Sequence, residues 1–267
     1  MSKRALVTGA SSGIGLEFAR ILARGGYDLF LVARNGKKLD EVAEELRNRY
    51  ETEVEVMPVD LSRPNSAEKV YTAAASKDEI EILINNAGFS DLGYFTEANW
   101  DRLHEMINLN ILSLTYLAQL TAKDMQARGR GRILNVASSA AFMPGPKMAV
   151  YHASKSYVLS FSLALHEELR KSGVTVTALM PGIVRTGFQE AMGVDDMDKT
   201  FQNRNRMYTP YEVAQDGYQA MMDGRPMSIP GGQIKLINFL SRITPRRWGA
   251  KLVHRTYRRR DKEPKAD

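Results

Sequence analysis

The chain contains no cysteine. That excludes a disulfide framework, a thiolate nucleophile, an iron–sulfur cluster and any zinc site built on thiolates. The four histidines, His104, His152, His166 and His254, are scattered, with no H-E-x-x-H spacing. No metal site is expected. No run approaches the roughly 18 apolar residues that a membrane-spanning helix needs. The segment from Met1 to Arg4 leads directly into a strand-like run and carries no apolar leader. These absences predict a cytoplasmic protein. Internal repeats, low-complexity tracts and linkers are also missing.

What is present is a 267-residue chain, 43% hydrophobic and 25% charged. This composition belongs to a globular protein with a sizeable core, expected as one domain. The net charge of +6 is uneven, because residues 242–267 hold ten Lys/Arg against three Asp/Glu. The remainder is near neutral. A nucleic-acid binder would carry its basic face through the fold, so no nucleic-acid partner is expected.

Apolar runs and helical patterns alternate. Strands are expected at Ala5–Thr8, Tyr27–Ala33, Val54–Val59, Ile80–Ile84, Gly131–Ala137 and Val174–Met180. Between them the 3.6-residue spacing predicts helices over Ile14–Arg24, Lys37–Tyr50, Pro64–Ser76, Asn99–Gln126 and Tyr151–Lys171, with Pro64 in a first helical turn. This order predicts an α/β fold with a doubly wound parallel sheet and helices on both faces.

The first strand is joined to the first helix by Thr8-Gly9-Ala10-Ser11-Ser12-Gly13-Ile14-Gly15. Glycines there let the backbone approach a pyrophosphate closely. The following helix N-terminus offers unpaired N–H groups and a positive dipole end, and Ser11 and Ser12 add hydroxyls. An ordinary Gly/Ser turn has the same composition; the position after a first buried strand favours the phosphate loop.

Four further patterns follow in order. Asn85-Asn86-Ala87-Gly88 ends the fourth strand and Ser138 the fifth. Tyr151-His152-Ala153-Ser154-Lys155 opens a helix thirteen residues after Ser138, and Pro181-Gly182-Ile183-Val184-Arg185-Thr186 follows the sixth strand. Together with the glycine loop, these closely resemble the short-chain dehydrogenase/reductase family over about residues 3–190. The resemblance implies a single Rossmann-type domain with about seven parallel strands, assembled as a homodimer or homotetramer. It also implies hydride transfer between NAD(H) or NADP(H) and a carbonyl or alcohol.

Tyr151 and Lys155 lie four apart on a helix and so share one face. A free tyrosine, with a pKa of about 10, is a poor base at neutral pH. A neighbouring cation favours the phenolate, which makes Tyr151 a general acid/base for the substrate oxygen. Ser138 is expected to hydrogen-bond that oxygen. The resemblance further gives Lys155 the nicotinamide ribose hydroxyls and gives Asn110 a water held against the lysine. Asn108 competes for the last role, and the family spacing favours Asn110.

The second strand ends Val32-Ala33-Arg34. NAD users place an acid at this strand end for the ribose 2′-hydroxyl. Ala33 offers none, and the Arg34 guanidinium suits a 2′-phosphate. NADP(H) is therefore expected over NAD(H). By resemblance, Asp60 and Leu61 contact the adenine and Asn86 lies along its ribose. Pro181, Gly182, Val184 and Thr186 border the nicotinamide, with Val184 and Thr186 on its carboxamide.

Beyond Thr186 a substrate lid is expected over about 187–208, with Phe188, Met192, Met197, Phe201 and Met207. Met143 and Met148 flank the other side. Methionine adapts to irregular apolar shapes, so a hydrophobic carbonyl or alcohol substrate is expected, such as a hydroxysteroid or a 3-oxoacyl chain. The organisation is then a catalytic domain over 1–241 and a basic helix or tail over 242–267. In the tail, Trp248, Leu252 and Tyr257 fall near one helical face among arginines and lysines. That pattern suits peripheral contact with an anionic membrane, a partner subunit, or a solvated terminus. A non-catalytic NADP(H)-binding regulator on the same fold is the alternative function, although such a protein would be expected to lose Tyr151 or Lys155.

Overall fold

A computed structural model of the chain describes residues 3–184, 208–243 and 246–258. The elements are β1 Arg4–Thr8, α1 Gly13–Arg24, β2 Asp28–Ala33, α2 Gly36–Tyr50, β3 Val54–Pro58, α3 Ser66–Ala74 and β4 Ile80–Asn85. They continue with α4 Trp100–Ile107, α5 Leu114–Arg128, β5 Gly131–Val136, α6 Ala149–Leu169, β6 Val174–Leu179, α7 Pro210–Met222 and β7 Met227–Ser228. Two C-terminal helices follow, α8 Gly232–Ile243 and α9 Arg246–Arg258.

The seven strands form one parallel sheet in the order β3-β2-β1-β4-β5-β6-β7. Strand residues alternate between two cores, as the two-residue period demands. Val7, Leu31, Ile84 and Leu134 pack under α1, α2 and α7. Leu6, Val32, Leu83 and Ile133 pack on the opposite face with α3 and α5. The chain order reverses between β1 and β4, which opens a crevice at their C-terminal ends.

Buried amides lock the sheet to the helix beside it. Asn85 Nδ2 donates to Asn135 Oδ1 at 3.0 Å, and Asn135 Nδ2 donates to Ser162 Oγ at 3.0 Å. This ladder joins β4, β5 and α6 through three side chains that are all buried.

The expected strands all form, with ends within two residues of those read from the sequence. Two helices differ. Pro64 is not in a helical turn, because Asn65 adopts left-handed backbone (φ 62°) and α3 starts after it at Ser66. The expected Asn99–Gln126 helix starts as read, with the Asn99 side chain accepting from Arg102 N at 3.1 Å. It is then interrupted by a π-helical stretch over Asn108–Ser113 before α5. Thr186, Phe188, Met192, Met197, Phe201 and Met207, and with them most of the expected lid, lie outside the described residues.

Candidate active site

The crevice between β1 and β4 is stitched by one hydroxyl that the sequence reading left unassigned. Thr8 Oγ1 accepts from Asn86 N and Ala87 N, both at 3.0 Å, and donates to Ile84 O at 3.3 Å. Asn86 Nδ2 donates back to Thr8 O at 3.0 Å and Gly9 O at 3.2 Å. The Asn86 amide therefore holds the glycine loop. Gly9 has φ 66°, and a Cβ there would stand 2.7 Å from Asn86 Nδ2. A Cβ on Gly15 would stand 2.3 Å from Gly9 O. Ser12 caps α1 without a side-chain bond, and no acid occupies the first turn. The N–H groups of that turn and the glycine-lined approach fit a pyrophosphate.

Gly15→Ala follows as a test of this packing. Neither the loop carbonyl nor α1 can yield without opening the crevice, so a cost of about 1–3 kcal/mol is expected. A thermal melt should show a fall of several degrees, with weakened dinucleotide binding by titration. An unchanged melt would contradict the close approach.

Helix α6 carries Tyr151 and Lys155 one turn apart. Lys155 Nζ lies 5.9 Å from the Tyr151 ring centroid and donates to Val136 O at 2.8 Å. Lys155 is only 4% exposed, and its burial pulls its pKa from 10.5 down to about 8. The cation thus sits in a desolvated position where its field on the phenol is weakly screened.

That burial has a measurable sign. In the unfolded chain Lys155 keeps its proton up to pH 10.5, whereas the folded protein releases it near 8. Between these values unfolding takes up a proton, so stability rises with pH through that window. Below it the fold carries the whole desolvation penalty, about 3 kcal/mol. Denaturant melts of the unliganded protein should show wild type gaining on Lys155→Met as pH rises from 8 to 10.5. A pH-independent difference would mean that the ammonium is not desolvated.

Asn110 sits in the π-helical stretch and is fully buried. Its Oδ1 accepts from Phe89 N at 3.2 Å, and its Nδ2 donates to Phe89 O at 3.0 Å and Ser154 Oγ at 3.2 Å. The side chain thus clamps the turn after β4 onto α6. Gly88 lies between, since a Cβ there would be 2.9 Å from Asn110 Oδ1 and 3.5 Å from Lys155 Nζ. The local π geometry re-aims the helix at this point, a common device at functional sites. Asn108, the competitor, instead faces His104 at 3.4 Å on the surface.

Ser138 follows β5 in extended backbone (φ −174°) and its Oγ accepts from Ala140 N at 3.1 Å. A short turn, Ser139–Phe142, leads from it onto α6. His152 fixes that connection, a role not read from the sequence. Its Nδ1 donates to Met143 O at 2.7 Å, and a Cβ on Gly145 would stand 2.2 Å from its ring. Burial pushes the His152 imidazole below its ordinary pKa, against backbone hydrogen bonds at Met143 and Ala140. Ser156 Oγ adds a bond to Ala141 O at 3.0 Å.

At the other end of the crevice Arg34 is exposed just beyond β2, and Ala33 is buried. Asp60 follows β3 with Oδ1 accepting from Ser62 N at 2.9 Å and Ser62 Oγ at 2.7 Å. Burial opposes its charge, but the Ser62 bonds, Arg34 and Arg63 outweigh that and hold its carboxyl below the usual value. Leu61 is buried beside it. Pro181 O accepts from Ser139 N at 2.8 Å, which ties the Pro181–Val184 segment to the Ser138 turn.

Beside Tyr151 a shallow cleft, open to solvent, is lined by Phe95, Ala98, Leu103, Met106 and Met148, with Asp91 and Lys147 as its charged members. Met148 is thus where the sequence placed it. Met143 lies instead under α9, where a Cβ on Gly249 would come 3.3 Å from its Sδ. Among the described residues no group of acids and histidines could hold a metal ion.

Residues 3–196 match the family described as short chain dehydrogenase. A short-chain dehydrogenase from Sphingobium yanoikuyae, solved in complex with NADPH, superposes with a TM-score of 0.81 at 32% identity, covering 99% of each chain. The bulky-bulky ketone specific alcohol dehydrogenase from Comamonas testosteroni gives 0.77 at 28% identity, over 99% of this chain and 96% of that one. The very-long-chain 3-oxoacyl-CoA reductase of Homo sapiens is 38% identical over 186 residues, which are 68% of this chain and 59% of the reductase. The chain therefore spans less than two-thirds of the length of that relative.

Proposed function

The chain belongs to the short-chain dehydrogenase/reductase family, and from that premise we propose that it is an NADP(H)-dependent oxidoreductase acting on a carbonyl or secondary alcohol of a hydrophobic substrate. The observation that carries this reading is the buried Lys155 one turn from Tyr151, with Tyr151 itself lining the cleft. The bound nicotinamide supplies or accepts the hydride, since no side chain can. Tyr151 Oη gives a proton to the substrate oxygen in reduction and takes it back in oxidation. Lys155 stabilises the phenolate and holds the ribose hydroxyls. Ser138 donates to the same substrate oxygen, and Asn110 positions the turn above Lys155, with a water against the lysine.

Gly9, Ser11, Ser12, Gly13, Ile14 and Gly15 hold the pyrophosphate in this reading, and Arg34 pairs the 2′-phosphate. Asp60, Leu61 and Asn86 line the adenosine side. Pro181, Gly182, Val184 and Thr186 line the nicotinamide side. NADPH in the Sphingobium structure and the large ketones of the Comamonas enzyme support the choice of cofactor and substrate class. Homo-oligomerisation is part of the proposal. It is supported by Leu112, Tyr116, Tyr157 and Leu163, which are exposed on the neighbouring α5 and α6 side, where Thr115 Oγ1 and Tyr157 OH meet at 3.0 Å. We also place the catalytic unit over 1–241 with the basic segment 242–267 appended, in the cytoplasm.

The test is a panel of ketones followed by NADPH absorbance. Oxidation of NADPH with bulky or long-chain ketones, and little with short polar ones, is expected. Tight NADPH binding without turnover on any member would instead favour a non-catalytic binding protein.

A further inference from the structure

Helix α8 is apolar on two sides. Its inner side packs on the site, where a Cβ on Gly182 would meet Ile234 Cδ1 at 2.7 Å. Leu236, Phe239 and Leu240 fall on the other side and are 57%, 61% and 45% exposed. A surface helix normally gives that side to polar residues. Trp248 on α9 is 61% exposed as well. Arg247 and Lys251, which flank it in sequence, are also exposed. Gly249, in contrast, is buried against Met143. From Gly232 to Arg258 the chain has seven Lys/Arg and no Asp or Glu.

We propose that α8 and α9 together form a docking surface for an anionic lipid bilayer. The leucines, Phe239 and Trp248 enter the boundary between headgroups and acyl chains, and the cations pair with lipid phosphates. Only such a partner satisfies both halves of the surface. A second copy of the same face would set the exposed Arg247 and Lys251 against like charges in a segment that holds no acid to offset them. A nucleic acid would neutralise the cations but leave the Leu236–Phe239–Leu240 stripe in water. An anionic membrane offers charge to one half and an apolar phase to the other.

The test uses the full chain and needs neither cofactor nor turnover, so it stands apart from the catalytic reading. Vesicles of phosphatidylcholine alone are compared with vesicles carrying about one-third phosphatidylglycerol in co-sedimentation. At low salt the anionic vesicles should bind at least about tenfold more protein, and added salt should reduce this. In a Trp100→Phe background, Trp248 emission should shift to the blue on binding. Phe239→Ser with Leu240→Ser, and separately Arg247→Glu with Lys251→Glu, should each weaken binding about tenfold with unchanged melting curves. Equal binding to both vesicles, or none, would overturn the proposal. So would duplex DNA binding tighter than the vesicles, or an oligomer that Phe239→Ser with Leu240→Ser dissociates.

Discussion

Tyr151→Phe should lower kcat by about 10²–10⁴-fold, the usual worth of a positioned proton donor. The Kd for NADPH should change by less than about threefold, because only the phenolic oxygen is removed. The phenylalanine ring retains the packing of Tyr151 with Phe89, Leu103, Met106 and Met148. Lys155 keeps its bond to Val136 O. Stability should therefore hold while turnover falls. Single-turnover kinetics with NADPH and a bulky ketone, alongside cofactor titration, separates the two. A variant that kept most of the wild-type rate would move the proton-transfer role to another group. His152 is a poor candidate for it, since its Nδ1 is committed to Met143 O.

Arg34→Ala should raise the KM for NADPH about ten- to a hundredfold more than that for NADH, because a charge-assisted bond to phosphate is worth about 1.5–3 kcal/mol. Arg34 is exposed at the end of β2, and its charge also helps to hold the Asp60 carboxyl low. Losing it removes a phosphate partner and leaves the neighbouring carboxylate less balanced, which acts against NADPH twice. Ala33→Asp should push further toward NADH by pairing the 2′-hydroxyl and repelling the phosphate. Steady-state kinetics with both cofactors at fixed salt decides it. Equal effects on the two cofactors would reduce Arg34 to a solvated strand end.

The sheet was legible in the sequence because its strands are buried on both faces and read as unbroken apolar runs. Leu6-Val7 and Leu31-Val32 are of this kind. Tyr151 and Lys155 were legible because a helix converts a spacing of four into a shared face. Other features left no periodic trace. The left-handed Asn65 that delays α3 is a single backbone angle. The π-helical stretch at Asn108–Ser113 is bracketed by ordinary helix, and apolar spacing reads straight through it. Thr8 and His152 act through main-chain atoms brought near by the fold, from Ile84 to Ala87 and at Met143. The one signal for Thr8 was its place between a buried strand and the first glycine. His152 had its position inside the Tyr151–Lys155 pattern.

The ladder from Asn85 through Asn135 to Ser162 limits how this fold can open and close. Sliding α6 along the sheet by one turn would strip the buried Asn135 amide of its acceptor, at a cost of about 1–3 kcal/mol per bared group. Helix α6 is therefore indexed to the strands like a tooth in a rack, and Tyr151 and Lys155 keep their place relative to β5. In hydrogen–deuterium exchange the amides of β4, β5 and the middle of α6 should open together and last, whether or not ligand is bound.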